Sequence, residues 1–409
     1  MIRVRWRYAA MALLIFGHSA ALLAQTPEAP QNLYLDALQS IADGRDDDAS
    51  ETLRRLIKME PQHAGAWLDL ALTQCELGHA KEAERLFQEI IDRFSPPPVL
   101  LEMIARRRAQ GCSKWRPKSQ FSVALGRGTD SNLNQGANNP TFSIGSGDYR
   151  VDLQLLPEYL PQHDQYTVLS SGYSRSISTN GAAAFLHFQA QQNDTLSRYD
   201  TTSLIGGMDL PWRWRSWDMR STGSLALLSL GGQLYQTQSQ AQMQMLHALG
   251  GRMQFGLAAT VAHAAYKILP DFNSNTWEAR SLLSYRNKRL QTQASVSYLA
   301  DDALADRPGG DRQGWLARLN LRASLSQRFF GDLGWTRQYW QSDKPYSPGV
   351  IDQIRQQHLQ IWHGALNYRL GPRQSLILEL RAVKNAENIS LFEYDDRQIK
   401  LSWQWQTGR

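Results

Sequence analysis

Cysteine is almost absent from this chain: Cys75 and Cys112 are the only two among 409 residues. Two thiols without an adjacent histidine cluster do not make a four-ligand zinc site, so metal-built folding is not expected. Long apolar runs are equally scarce. One spans residues 11–23, and after it no stretch approaches the roughly 18–20 apolar residues that a membrane helix requires. No glycine-rich phosphate loop or metal-ligand cluster appears. His187, His247, His263, His358 and His363 show no recurring spacing with serine and an acid. The chain therefore reads as a non-enzyme without a cofactor. The formal net charge is +6, from 44 Lys and Arg against 38 Asp and Glu. These basic residues are scattered rather than gathered into a patch, which argues against a nucleic-acid partner and for charge placed inside a lumen and at membrane edges.

The first residues have the layout of an export signal. Arg3, Arg5 and Arg7 precede the apolar run, and cleavage is expected after Ala21 or Ala24, giving a signal peptide over 1–24. No cysteine lies there to carry a lipid anchor. After export, Cys75 and Cys112 meet an oxidising compartment and can form one disulfide, or remain as two buried thiols.

Residues 31–111 are helical by period, and their pattern recurs after about 34 residues. Trp67, Leu70, Ala71, Gly78, Ala83, Phe87 and Ile90 mark the clearer copy. The same shift backwards lands on Gly44, Ala49, Leu53 and Leu56, with Pro61 closing the unit. Gly44 and Gly78 suit tight turns between helices, Ala49 and Ala83 suit close helix approach, and Pro61 breaks the chain before the next unit. A third helix, about 98–110, is expected to cover the last repeat, with Arg106, Arg107 and Arg108 at its dipole-negative end. The pattern resembles a tetratricopeptide repeat. Two readings stay open: a helical spacer, or a concave surface holding a peptide or partner through Leu68, Leu72, Cys75 and Glu76.

From Phe121 the period changes to two. Trp315, Ala317, Leu319, Leu321, Ala323 and Leu325 alternate with Leu316, Arg318, Asn320, Arg322, Ser324 and Ser326. Leu376, Leu378 and Leu380 alternate with Ile377, Glu379 and Arg381, and Ile399, Leu401, Trp403 and Trp405 with Gln398, Lys400, Ser402 and Gln404. Ala241, Met243 and Met245 alternate with Gln240, Gln242 and Gln244. Such segments exceed the ~5–6 residues of a soluble strand and fit the ~9–11 of a tilted membrane strand. Backbone in lipid must satisfy every N–H and C=O, so many such strands imply closure into a barrel over 118–409. Fourteen strands fit the length best and sixteen next. Arg318, Arg322, Glu379, Arg381 and Lys400 then fall on the lumen face, as a charge ladder that stiffens the wall or guides a polar client. Trp212, Trp214, Trp277, Tyr339 and Trp340 are expected as interfacial anchors. Tight turns are expected at Thr179-Asn180-Gly181 and Arg286-Asn287-Lys288, and outer loops at 127–147, 301–313 and 342–356.

Two short segments carry a family resemblance. One reads Gly126-Arg127-Gly128-Thr129-Asp130-Ser131-Asn132-Leu133-Asn134, the other Asn388-Ile389-Ser390-Leu391-Phe392-Glu393-Tyr394-Asp395-Asp396-Arg397. With the preceding repeats, they resemble the surface lipoprotein assembly modifier (Slam) family. The resemblance implies periplasmic repeats followed by a fourteen-stranded outer-membrane barrel that moves surface lipoproteins or secreted soluble proteins. It implies outer-membrane lipid as surroundings, and barrel-assembly machinery and periplasmic chaperones for insertion. Trp405 is the nearest candidate for a terminal aromatic assembly signal. The alternative of similar layout is an exopolysaccharide export porin; a passive porin is the third class.

Overall fold

A computed structural model describes residues 30–112, 115–145 and 151–407. The expected export signal lies outside the described residues. The chain has a tetratricopeptide-repeat helical region followed by a closed antiparallel barrel, two units considered in turn.

The helical unit comprises α1 (Pro30–Ala42), α2 (Asp46–Met59), α3 (Ala64–Glu76), α4 (Ala80–Phe94) and α5 (Pro98–Gln110). These are two helical hairpins and a covering helix. The turns inside the hairpins pass through Gly44 (φ 72°) and Gly78 (φ 83°), left-handed backbone that costs glycine least. Asp46, Asp47 and Asp48 fill the first turn of α2, where carboxylates complement the helix dipole. His63 Nδ1 caps α3 by accepting from the Ala66 N–H at 3.0 Å. Leu53, Leu56, Leu70, Leu86 and Phe87 are fully buried between the hairpins. The repeated positions are therefore core positions, and emptying one to alanine costs about 2–5 kcal/mol.

Cys75 and Cys112 are joined, which resolves the alternative left open by the sequence. The bridge fastens the end of α3 to the residues following α5, although Ile104 is the only residue of α5 buried in the core. The two positions are 37 apart. In the chain-entropy picture a closed loop of that size contributes roughly 3–4 kcal/mol. Replacing both cysteines by serine should therefore speed hydrogen exchange and proteolysis across α5 while α2 and α4 keep their protection. Equal protection of α5 in both proteins would contradict this.

In the barrel unit fourteen strands close a ring. They are β1 (Ser119–Asp130), β4 (Asp164–Ser176), β5 (Ala183–Asn193), β6 (Thr201–Trp214), β7 (Trp217–Leu230), β8 (Gln233–Gly250), β9 (Met253–Tyr266), β10 (Ser274–Arg286), β11 (Leu290–Ala303), β12 (Arg312–Ser324), β13 (Phe329–Ser347), β14 (Ile351–Arg369), β15 (Gln374–Glu387) and β16 (Tyr394–Gln406). Two short strands, β2 (Thr141–Ile144) and β3 (Val151–Gln154), form a separate hairpin inside the first loop. Each barrel strand pairs with its sequence neighbours. β1 closes the ring on β16, from Ser122↔Gln406 to Asp130↔Gln398.

One end of the barrel receives the chain from the helical unit and carries turns of only two to six residues, here called the linker end. The turns expected at Asn180-Gly181 and Asn287 both lie there. The opposite, loop end carries the longer connections, with 131–163 the longest. That loop is longer than the expected 127–147, and the connection expected over 301–313 is confined to 304–311. Residues 342–356 are a correction. They are not a loop but the far half of a hairpin whose strands each run 19 residues. Their polar, proline-bearing composition looks like a loop because this hairpin extends past the apolar band. The register shifts around Pro345, which has no N–H for the ladder.

The outer face is apolar and uncovered: Leu225 (68% exposed), Leu333, Val296, Leu401 and Ile399 stand in the open. Aromatic side chains flank this band. Phe121, Trp214 and Phe329 project near the linker end, and Trp277, Tyr298 and Trp315 near the loop end. On β10, Trp277 and Tyr285 are eight residues apart, about 20 Å along the axis of a barrel tilted by ~40°. Trp340 is not among these anchors. It points inward, packed with Leu299 and Leu316 under the Arg312 guanidinium at 5.0 Å, because it falls on the opposite parity to Tyr339. Among the described residues no helix is long and apolar enough to cross a membrane.

Candidate functional site

Cross-strand pairs share a face, so the register fixes the inner wall residue by residue. Arg318, Arg322, Glu379, Arg381 and Lys400 all stand on it. Four of the five are held in ion pairs. Lys400 Nζ lies 2.6 Å from Glu379, whose carboxylate is also 3.5 Å from His363 Nε2. Arg381 lies 3.8 Å from Asp396. Arg322 donates to Asp332 at 2.5 Å, and Asn367 donates to the same carboxylate at 3.0 Å. Arg318 has no ion pair among the described residues and sits near the Arg280–Glu278 pair, which closes at 2.8 Å. The positive side chains of this wall are thus largely matched by acids from neighbouring strands, and the lumen is charge-paired rather than basic.

These pairs gather on one side, and across the ring the inner faces of β6 and β7 carry a pair at the linker end, Arg213 with Asp218 at 4.0 Å. The gathered pairs lie on β10 to β16, and those of β15 and β16 stand half of the fourteen-strand ring away from β8. The facing wall is uncharged through its middle. Gln189 on β5, Ser203 on β6, Ser224 on β7, five glutamines on β8 and Ala262 on β9 line it. A cavity of about 640 Å³ opens near the linker end between Gln244, Arg322, His363, Glu379 and Gln404. The lumen consequently has a charged face and a carboxamide face.

At the loop end the two sequence segments that carry the family resemblance meet across the β1–β16 seam. Gln398 donates one amide to both Asp130 (2.9 Å) and Asp396 (2.8 Å). Ser131 exchanges hydrogen bonds with Arg397, and Asn132 Nδ2 donates to the Asp395 carbonyl at 3.0 Å. Asn132 also closes a turn with Gly136, accepting from its N–H at 2.7 Å and donating to its carbonyl at 2.9 Å. Gly136 is required there, because a Cβ would lie 2.3 Å from the Leu160 carbonyl carbon. Asn134 binds the carbonyls of Glu158 and Leu160, and Asn138 binds the Asp395 N–H. Each polar residue of Asp130-Ser131-Asn132-Leu133-Asn134 thus anchors the long loop.

The second segment holds the same side from the other direction. The Phe392 ring lies under the Arg355 guanidinium at 4.2 Å and against Tyr346 at 4.9 Å. Arg355 in turn pairs with the buried Glu387 at 2.6 Å. Gly145 donates to Val350 at the tip of the long hairpin. The loop 131–163, the β15–β16 connection and the β13–β14 hairpin form one hydrogen-bonded assembly. Removing the buried Asn132 amide leaves two carbonyls and one N–H without it, a cost of about 1–3 kcal/mol per unsatisfied group. Asn132→Ala should make 131–163 a preferred protease site while the barrel still migrates as folded without heating. Unchanged cleavage of the loop would count against the anchoring role.

In the helical unit, Leu68 and Leu72 are half-buried against the core and Glu76 is exposed, 4.0 Å from Arg107. Cys75 is a correction to the expected contact surface. It is buried and bonded to Cys112, so its side chain is committed within the unit. α1 packs on the start of α3 through Tyr34, whose ring lies 4.5 Å from that of His63. The Tyr34 hydroxyl donates to Asp69 at 2.8 Å and occupies the place a side chain at Gly65 would need. Burial and the neighbouring Asp69 carboxylate push the Tyr34 phenol up to about 12, so it stays a hydrogen-bond donor throughout the physiological range.

The tetratricopeptide-repeat family profile matches residues 40–102. No curated protein matches the chain by sequence. Among solved structures the chain is similar to a FadL homologue of Pseudomonas aeruginosa, at 9% identity and a TM-score of 0.40, covering 71% of this chain and 90% of that one. It is similar to the outer-membrane channel DcaP of Acinetobacter baumannii (9% identity, TM-score 0.37, 72% and 99% covered). An anion-selective porin from Comamonas acidovorans matches at 8% identity and a TM-score of 0.37, covering 71% and 100%.

Proposed function

We propose that this chain is an outer-membrane pore of the Slam kind, which moves client proteins, surface lipoproteins or secreted soluble proteins, out of the periplasm. The helical unit stands in the periplasm on this reading, where an oxidising environment maintains the Cys75–Cys112 bridge. Outer-membrane lipid surrounds the apolar band, and barrel-assembly machinery with periplasmic chaperones inserts it. No nucleic acid, cofactor or catalytic chemistry takes part.

One observation carries the reading. The two segments of the resemblance, with Asn132 and Asp395 separated by 263 positions, form one hydrogen-bonded structure at the seam. Ring closure already sets the end of β1 beside the start of β16, and past the last paired residues side-chain hydrogen bonds from Ser131, Asn132 and Asn138 join the two segments further. Their convergence gives both segments a shared task, the fixing of the loop end of a transport barrel. The paired charges of the lumen support transit rather than capture, since passage needs many weak contacts and no deep site. A second reading, an exopolysaccharide export porin, draws on the uncharged carboxamide wall, which also suits a hydroxyl-rich polymer.

A deletion strain decides between them. Surface shaving with protease should show at least one lipoprotein or secreted protein lost from the exterior and retained inside. It should reappear outside when the gene is restored. Unchanged exposure of all such proteins would contradict the proposal, and loss of a surface glycan alone would favour the second reading.

A further inference from the structure

Five glutamines occupy every inward position along the middle of β8: Gln236, Gln238, Gln240, Gln242 and Gln244. All are half-buried, and none of their carboxamides makes a side-chain hydrogen bond among the described residues. Each carboxamide offers two donors and an acceptor oxygen, so a continuous row of free polar groups faces the lumen. The flanking inward residues are mostly small. Gln238, Gln240 and Gln242 stand between Ala226, Ser224 and Thr222 on β7 and Ala264, Ala262 and Thr260 on β9. Over those three positions the row stands above smaller neighbours as a raised rail, while at its ends Arg220 flanks Gln244, and Leu228 and Tyr266 flank Gln236.

The spacing of the rail is set by the strand beneath it. Alternate residues on a strand repeat at about 6.6–6.8 Å. An extended polypeptide presents the N–H and C=O groups of one edge at the same two-residue repeat, so one rail meets successive backbone pairs in register. A carboxamide matches a peptide group in both donor and acceptor, and it reads no side chain. The charged wall of β15 and β16 does not compete, because its ions are paired with one another. Sugar rings favour aromatic platforms beside their polar contacts, and aromatics next to the rail stand at one end of it, Tyr266 level with Gln236 and edge-on to Tyr235 at 5.5 Å.

We infer that the β8 glutamine rail is a sequence-independent docking strip for the backbone of an extended polypeptide in transit. The inference rests on the proposed transport of protein clients and names how the lumen holds them. It is the edge-strand mode of peptide recognition with side-chain amides in place of a backbone edge. Five separate weak bonds let the client enter and then advance by exchanging one carboxamide for the next.

The test uses the full chain in detergent, with binding read by fluorescence anisotropy. The probe is a dye-labelled, uncharged Gly-Ser peptide of about twenty residues. A backbone N-methylated copy and a labelled neutral glucan serve as comparisons. The wild type should bind the unmethylated peptide at least ~10-fold more tightly than the methylated copy. Gln238→Leu/Gln240→Leu/Gln242→Leu should remove that difference. The methylated peptide tests the rail on the unaltered protein, whatever the folding of the triple variant. Absence of binding, equal binding of both peptides, a triple variant that still discriminates, or tighter binding of the glucan would each overturn the inference. Its failure beside a deletion strain that loses client export would leave the transport reading standing, while unaltered export would remove that reading by itself.

Discussion

Closure of the β1–β16 seam is the constraint on which the rest of the barrel depends. A sheet bounded by lipid has no water for an unpaired edge, and each unsatisfied backbone group there costs several kcal/mol. With fourteen strands paired round the ring, the apolar side chains of every strand can face outward and the polar ones inward. That inversion explains why Leu401 and Ile399 lie exposed while Ser402 and Asn385 are buried. It also explains the rough matching of ions inside, since each inward charge has neighbours on two strands from which to draw a partner.

The seam is more than a ladder. Above its last pair, Asp130↔Gln398, the seam continues as side-chain hydrogen bonds from Ser131, Asn132 and Asn138 to the first residues of β16. These bonds hold a long loop to the strand that completes the ring. The same architecture sorts the lumen into two faces. Charged pairs gather on β10 to β16, next to the seam, and carboxamides and small residues gather on β5 to β9. The space between them is bordered by fixed dipoles on one side and by internally satisfied ions on the other.

Much of the architecture was legible in the sequence because its physical causes are local. The two-residue alternation at Leu376–Leu380 and Ile399–Trp405 reports one face in lipid and one in water, whatever the partner strands. The repeat period placed Gly44, Gly78, Leu53 and Phe87, and α5 occupies 98–110 as expected. What was not legible depends on distant partners. Trp340 and Tyr339 are adjacent aromatics, and only the register decides which of them meets lipid. The polar run 342–356 lacks the alternation of its neighbours because its surroundings are aqueous, so an extended hairpin looked like a loop. Cys75 fell on a position that a repeat ordinarily offers to a partner, and nothing local showed that Cys112 would reach it. Gln236 and Gln238 continue a visible row, but the absence of partners that makes the row notable exists only in three dimensions.

The central claim is the inverted alternation around a closed ring, and single-cysteine scanning tests it directly. The chain has no free cysteine among the described residues. Residues 398 to 405 of β16 would be replaced one at a time in the full chain, reconstituted in lipid vesicles. Reaction with a membrane-impermeant thiol reagent should follow a period of two. Positions 398, 400, 402 and 404 should react, while 399, 401, 403 and 405 should be protected and accessible to a lipid-soluble quencher. Aqueous reactivity at the odd positions, or no periodicity at all, would contradict the account.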